Sequence, residues 1–98
     1  MIIVTGSVKA RPDTFDELLR ISLEHVRRSR LEAGCLLHSV HHDAEYPNRL
    51  VFLEYWVNRD ALTAHFHVPA SGEFARALGE LATEPPRIAI YDAEALSF

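Results

Sequence analysis

Leu50-Val51-Phe52-Leu53-Glu54-Tyr55-Trp56-Val57 is the stretch that decides the fold. It is rich in β-branched and aromatic residues and carries a single charge, Glu54. Such a run, preceded by turn residues, reads as a β-strand. Apolar side chains at both odd and even positions predict a strand buried on both faces. The two-residue period puts Phe52, Glu54 and Trp56 on one face together. Immediately upstream, residues 35–43 read as another strand. The intervening Ala44-Glu45-Tyr46-Pro47-Asn48 is short and turn-rich, so the two strands form an antiparallel hairpin.

Working outward, residues 2–10 alternate. Ile2, Val4, Val8 and Ala10 fall on one side and Thr5, Ser7 and Lys9 on the other, as in a strand with one buried face. Arg11-Pro12-Asp13 stops it. A helix is expected over residues 13–33, with Asp13 or Thr14 as cap and Glu17 three residues after Thr14 in capping-box spacing. Phe15, Leu18, Leu19, Ser22 and Val26 form its apolar stripe. Asp16 and Glu17 near its start, and Arg27, Arg28 and Arg30 near its end, suit the helix dipole, and the arginines read as a solvated helix end. Gly34 is placed to terminate the helix.

Downstream of the hairpin, Asn58 caps a short helix to about Phe66, with Leu62 and His65 on one face and His67 pointing elsewhere. Val68-Pro69-Ala70 breaks it, and Ser71 caps a further helix over 71–82 with Phe74, Leu78 and Leu81 aligned. After Pro85-Pro86 a last strand spans 87–94. The order β-α-β-β-α-β is the ferredoxin-like split βαβ arrangement, an α+β fold with a four-stranded antiparallel sheet. Helices on one face leave the other bare and apolar. A two-fold homodimer packed through that open sheet face would cover it.

With 98 residues, 48% apolar and 24% charged, the chain suits one domain over 1–98. A net charge of −4 with mixed signs offers no basic nucleic-acid surface. No segment has the length or apolarity to span a membrane, and the N-terminal stretch does not read as a signal peptide. The single cysteine, Cys35, excludes an internal disulfide and suits a reducing cytoplasm.

Three motifs carry a resemblance. Glu32-Ala33-Gly34-Cys35-Leu36 is similar to a Glu-Pro-Gly-Cys-Leu start of strand two, Glu54-Tyr55-Trp56 to a Glu-x-Trp end of strand three, and Ala61-Leu62-Thr63-Ala64-His65 to an Ala-Leu-x-x-His helix. Together, at this spacing, they resemble the antibiotic biosynthesis monooxygenase family. The resemblance implies a dimeric α+β barrel with a pocket in each protomer between sheet and helices. It also implies oxygenation of a quinol or dihydroxy-aromatic by O₂ without metal, flavin or haem, with Trp56 lining the pocket. The quinol oxygenases of this family carry an asparagine four residues before that tryptophan, where Phe52 stands here. The haem-degrading branch carries one in strand one at about Gly6.

From the residues and the resemblance together, His65 is the candidate proton carrier, since an unperturbed imidazole titrates near neutrality. Its structural alternative is a hydrogen-bonded histidine fixing helix to sheet. Trp56 would stack on the substrate, and the pair His65 and Trp56 form the catalytic set. His38, Phe52, Glu54 and Phe74 form the substrate-binding set. Glu54, an acid in an apolar strand, is either tied by a hydrogen bond or is a general base with a raised pKa. The six histidines (His25, His38, His41, His42, His65 and His67) match no zinc-ligand spacing, so no metal is expected, and the resemblance implies that no cofactor is needed. The partners expected are a small aromatic substrate, O₂ and a second copy of the chain. The same scaffold also suits an isomerase of small oxygen-rich metabolites using His38, Glu54 and His65, or a non-catalytic dimeric ligand-binding module.

Overall fold

Three of the four strands meet around the segment quoted first. The computed structural model describes residues 1–98. Its elements are β1 (Ile2–Lys9), α1 (Phe15–Ser29), β2 (Cys35–His42), β3 (Arg49–Trp56), α2 (Arg59–His67), α3 (Pro69–Leu81) and β4 (Arg87–Asp92). The strand order is β2-β3-β1-β4, and every pairing is antiparallel. The sheet is open, with β2 and β4 at its edges. This is the expected α+β, ferredoxin-like arrangement, with the second helical segment split in two.

The register brings Val4, Glu54 and His38 side by side across β1, β3 and β2, all on the face that the helices cover. Along β3 that face is buried at Leu50, Phe52, Glu54 and Trp56, whereas Val51, Leu53 and Tyr55 are only half-buried. The expectation of a strand buried on both faces is thus corrected. Within one chain the second face has no layer to cover it.

Local chemistry explains most element ends, and several boundaries differ from the sequence reading. α1 stops at Ser29, not at residue 33. There the helical ladder gives way to tighter bonds, Leu31 N–H to Arg28 O (3.1 Å) and Glu32 N–H to Ser29 O (3.0 Å). Gly34 follows at φ +80°, where a Cβ would stand 2.6 Å from Ala61 Cβ and 2.8 Å from Val57 Cγ1. Glycine is needed there both for the backbone angle and for the close approach of α2.

Thr14 does not close a capping box. Its hydroxyl accepts from Arg11 N–H (3.1 Å) and donates to the carbonyl of Leu81 (2.9 Å), tying the start of α1 to the end of α3. Pro69, read as a break, is the first residue of α3, where a missing N–H costs nothing. Ser71 therefore lies inside α3 rather than capping it. Asn58 does cap α2: its side-chain oxygen accepts from Ala61 N–H at 2.9 Å.

The core has two apolar clusters. Val8, Ala10, Leu18, Val26, Leu50 and Phe52 form the larger, and Ile2, Val4, Trp56 and Leu62 the smaller. No helix of the chain is long and apolar enough to cross a membrane.

Candidate functional site

Polar side chains from four elements are buried together on the helix-covered face of the sheet: His25 of α1, His38 of β2, Glu54 of β3 and His65 of α2. Glu54 is held by its neighbour-but-one. The indole N–H of Trp56 donates to Glu54 Oε1 at 2.8 Å. This is possible because residues two apart on a strand share a face. His38 Nε2 stands 3.4 Å and His65 Nε2 4.0 Å from the same oxygen, close to it but outside hydrogen-bond geometry.

Burial alone would push the Glu54 carboxyl up. The His38 ring, the Trp56 indole and the His65 ring outweigh burial and leave its pKa below the ordinary carboxylate value. The idea of Glu54 as a base with raised pKa is therefore corrected: it is an ionised, tethered acceptor.

His65 is oriented from behind. Its Nδ1 lies 2.9 Å from Glu32 Oε1 in the turn after α1. A carboxylate only accepts, so Nδ1 donates and Nε2 is the free nitrogen. The ring packs against Trp56 with centroids 4.6 Å apart. His25 stacks face to face on Phe74, 4.0 Å between centroids. Its Nδ1 accepts from Arg28 Nη2 at 2.7 Å. Burial, then the neighbouring His38 and His65, then the Arg28 cation push the His25 pKa down to about 3, so the ring is neutral. Of the three arginines read as a solvated helix end, only half-buried Arg28 thus turns to the site, while Arg30 Nε donates to the backbone carbonyl of His38 at 2.9 Å from an exposed position. Arg27 and Arg30 are exposed, as expected of all three.

A cavity of about 280 Å³ adjoins this group, between α3 and the middle of the sheet. Val4, Gly6 and Phe52 floor it and Phe74, Ala75 and Leu78 roof it. His25, Glu54, His65 and Ser71 give it a polar wall, and Phe66 and Ile88 stand at its rim. Such a space fits a ligand of one or two rings, mostly apolar with a few placed polar contacts.

Of the residues singled out in the sequence, His65, Glu54, Phe52 and Phe74 line this cavity. Trp56 and His38 are fully enclosed and do not line it. Trp56 touches the site by holding Glu54 and by packing on His65. His25 and Glu32 were missed. His25 had a signal: Leu18, Ser22, His25 and Ser29 recur at helical spacing, and all four are buried. Glu32 had none, since its contact with His65 spans 33 residues of chain.

The fold and site define a small ferredoxin-like domain with a helix-roofed pocket, and relatives share that fold. The family model for antibiotic biosynthesis monooxygenases matches residues 1–77, and the chain belongs to that family. A crystal structure of a candidate antibiotic biosynthesis monooxygenase from Deinococcus radiodurans superposes with a TM-score of 0.93 at 29% identity, covering 100% of this chain and 98% of that one. PA3566 from Pseudomonas aeruginosa superposes at 0.84 with 26% identity, covering 96% and 94% of the two chains. Rv0793 from Mycobacterium tuberculosis, at 24% identity and a TM-score of 0.90, shares the fold over 99% and 98%. In sequence, the uncharacterised protein sll1783 of Synechocystis is 37% identical over 90 residues. That match takes in 92% of this chain but only 61% of the Synechocystis protein.

Proposed function

We propose that the chain is a cofactor-independent monooxygenase-like enzyme that oxidises a small aromatic or polyketide-type quinol with O₂. One observation carries this reading. His65, aligned by Glu32 and backed by Trp56, stands at the wall of an apolar, ring-sized cavity. A phenolic hydroxyl in that cavity would give its proton to His65 Nε2, and the resulting imidazolium would be held by Glu32. The phenolate is electron-rich enough to reduce O₂ itself. One oxygen atom adds to the ring carbon and the other leaves as water, with all four electrons drawn from the substrate. Phe52 and Phe74 would hold the ring, and the apolar walls would keep water from the intermediate. Phe52 replaces the polar amide of the quinol oxygenases with more apolar contact, which favours a substrate with few polar substituents.

The test is O₂ uptake with a panel of dihydroxy-aromatics in metal-free buffer. Substrate-dependent uptake, lost in His65→Ala, supports the reading. No consumption above buffer across the panel refutes it. His25, Glu54 and His65 on one wall also favour a second reading, an isomerase that moves protons without O₂. Turnover persisting under nitrogen would select it.

We further infer a homodimer through the open sheet face. There Ile3, Leu37, Val51, Leu53 and Tyr55 are half-buried and Tyr91 is more than half exposed within one chain. Sedimentation in solution checks this, and a monomer at micromolar concentration would contradict it. A cytoplasmic location fits a lone free thiol, Cys35.

A further inference from the structure

The fold assembles a donor set that no sequence spacing announces. His25, His38 and His65 come from α1, β2 and α2. All three are buried, and one ring nitrogen of each lies within 4.8 Å of those of the other two. Glu54 Oε1 adjoins the group, 3.4 Å from His38 Nε2 and 4.0 Å from His65 Nε2. His38 is 2% exposed, yet neither of its ring nitrogens has a hydrogen-bond partner. A buried imidazole with both nitrogens unpaired gives up its hydrogen bonds to water and gains none in return, which is costly. It calls for an explanation that the proposed proton transfer does not supply, because His38 does not line the cavity.

We propose that His25, His38 and His65, with Glu54 as a fourth ligand, form a binding site for a divalent first-row transition ion such as zinc. Three imidazoles and a carboxylate are a donor set suited to such ions. The supporting contacts are also those of a metal site. Glu32 accepts from His65 Nδ1, which leaves Nε2 for the ion, and the Trp56 indole holds Glu54. Glu32 and Glu54 together supply the two negative charges that balance a dication.

Two adjustments are required. Metal–nitrogen bonds of about 2.0–2.1 Å need ligand nitrogens roughly 3.4 Å apart, so the widest pair must close by about 1.4 Å. The bond from Arg28 to His25 Nδ1 must also be released. If the ion takes Nδ1 it displaces Arg28. If it takes Nε2, the ring proton moves to Nδ1, where a guanidinium cannot accept it. Arg28 is only half-buried, so it can turn away. The ion would occupy the His65 nitrogen that the proposed oxidation needs, so a loaded site and a free base are alternative states. Binding is measured without turnover and therefore stands or falls apart from that reaction.

The experiment titrates chelator-stripped full chain with Zn(II) by calorimetry and with Co(II) by visible absorption. The expected result is one saturable equivalent per chain, with the intense visible bands of low-coordinate Co(II) that Zn(II) then abolishes. His25→Gln, His38→Gln and His65→Gln should each lower Zn(II) affinity at least about tenfold. Circular dichroism shows which of them remain folded, and any one folded variant suffices. His41→Ala and His67→Ala, both at exposed positions, should change nothing. Arg28→Gln offers His25 Nδ1–H an acceptor and should bind more tightly than the parent. The proposal is overturned by no saturable binding at micromolar metal, by parental affinity in a folded His38→Gln, or by loss of binding on changing His41 or His67.

Discussion

The two halves of one sheet face are built on opposite principles. Toward the start of β3, Leu50 and Phe52 pack with Val8, Leu18 and Val26 in a cluster of apolar side chains only. Two residues further along the same strand, Glu54 and Trp56 lie among His25, His38 and His65. The first half gains stability from every side chain it buries. The second buries a carboxylate and three imidazoles, each of which costs solvation that hydrogen bonds only partly restore. A chain this small has little stability to spare. Concentrating polar groups in one half is therefore a cost that the proposed chemistry would justify, and the apolar half is what makes it tolerable.

The division can be attacked from both sides. Leu18→Ala, in the apolar half, should lose about 2–5 kcal/mol of unfolding free energy and leave the polar site's geometry intact. Urea unfolding measures it, and a loss below 1 kcal/mol would mean that this cluster is not the main support. Acid should act on the other half. The folded His25 stays neutral down to about 3, whereas in the unfolded chain it takes a proton near 6.5. Between those values the unfolded state binds more protons, so stability is full above 6.5 and falls as pH drops, by an amount of the order of a few kcal/mol. Glu54, with its lowered pKa, adds a loss of the same sign below the ordinary 4.5. His25→Phe, which keeps a ring against Phe74, should flatten the slope between 6.5 and 3, as followed by unfolding at a series of pH values.

Trp56→Phe removes the N–H that holds Glu54 and should cost about 1–3 kcal/mol. In Glu54→Gln the same change should cost less, since no buried charge is then abandoned. A double-mutant cycle of unfolding free energies reads the coupling, and strict additivity would contradict it. The smallest effect on stability is expected at Gly6, on the cavity floor. A Cβ there meets only Arg87 O at 3.4 Å and Phe52 Cβ at 3.7 Å. Gly6→Ala should shift stability by less than about 1 kcal/mol while raising the floor and weakening binding of any ring-sized ligand. Calorimetric titration with a turned-over quinol would show it.

The contrast between the halves also explains what could be read in advance. Element order, hairpin and sheet arrangement follow from period-two alternation, from the turn-rich residues 44–48 and from Asn58, all of them local signals, whereas Gly34 stands beyond the end of α1 that it was expected to terminate. The errors were local too. Pro69 has two opposite meanings in a helical stretch, and the end of α1 depends on i→i−3 bonds that composition does not reveal. In the site, Phe52 and Glu54 were legible because neighbours on a strand share a face, and His65 because it shares a helix face with Leu62. What could not be read is which groups meet across the fold. Glu32 reaches His65 only because α1 ends early, and His25 meets His38 only because α1 crosses β2 at that point.

The claim that chemistry resides in the polar half and stability in the apolar half is tested most directly by one paired measurement on His65→Gln. Quinol-dependent O₂ uptake and unfolding free energy are determined on the same preparation. Glutamine can still hydrogen-bond Glu32 but cannot take up a proton at neutral pH. The account predicts turnover lowered about 10²- to 10⁴-fold with stability within about 1 kcal/mol of the parent. Parental turnover, or a loss of turnover that merely follows a loss of stability, would contradict it.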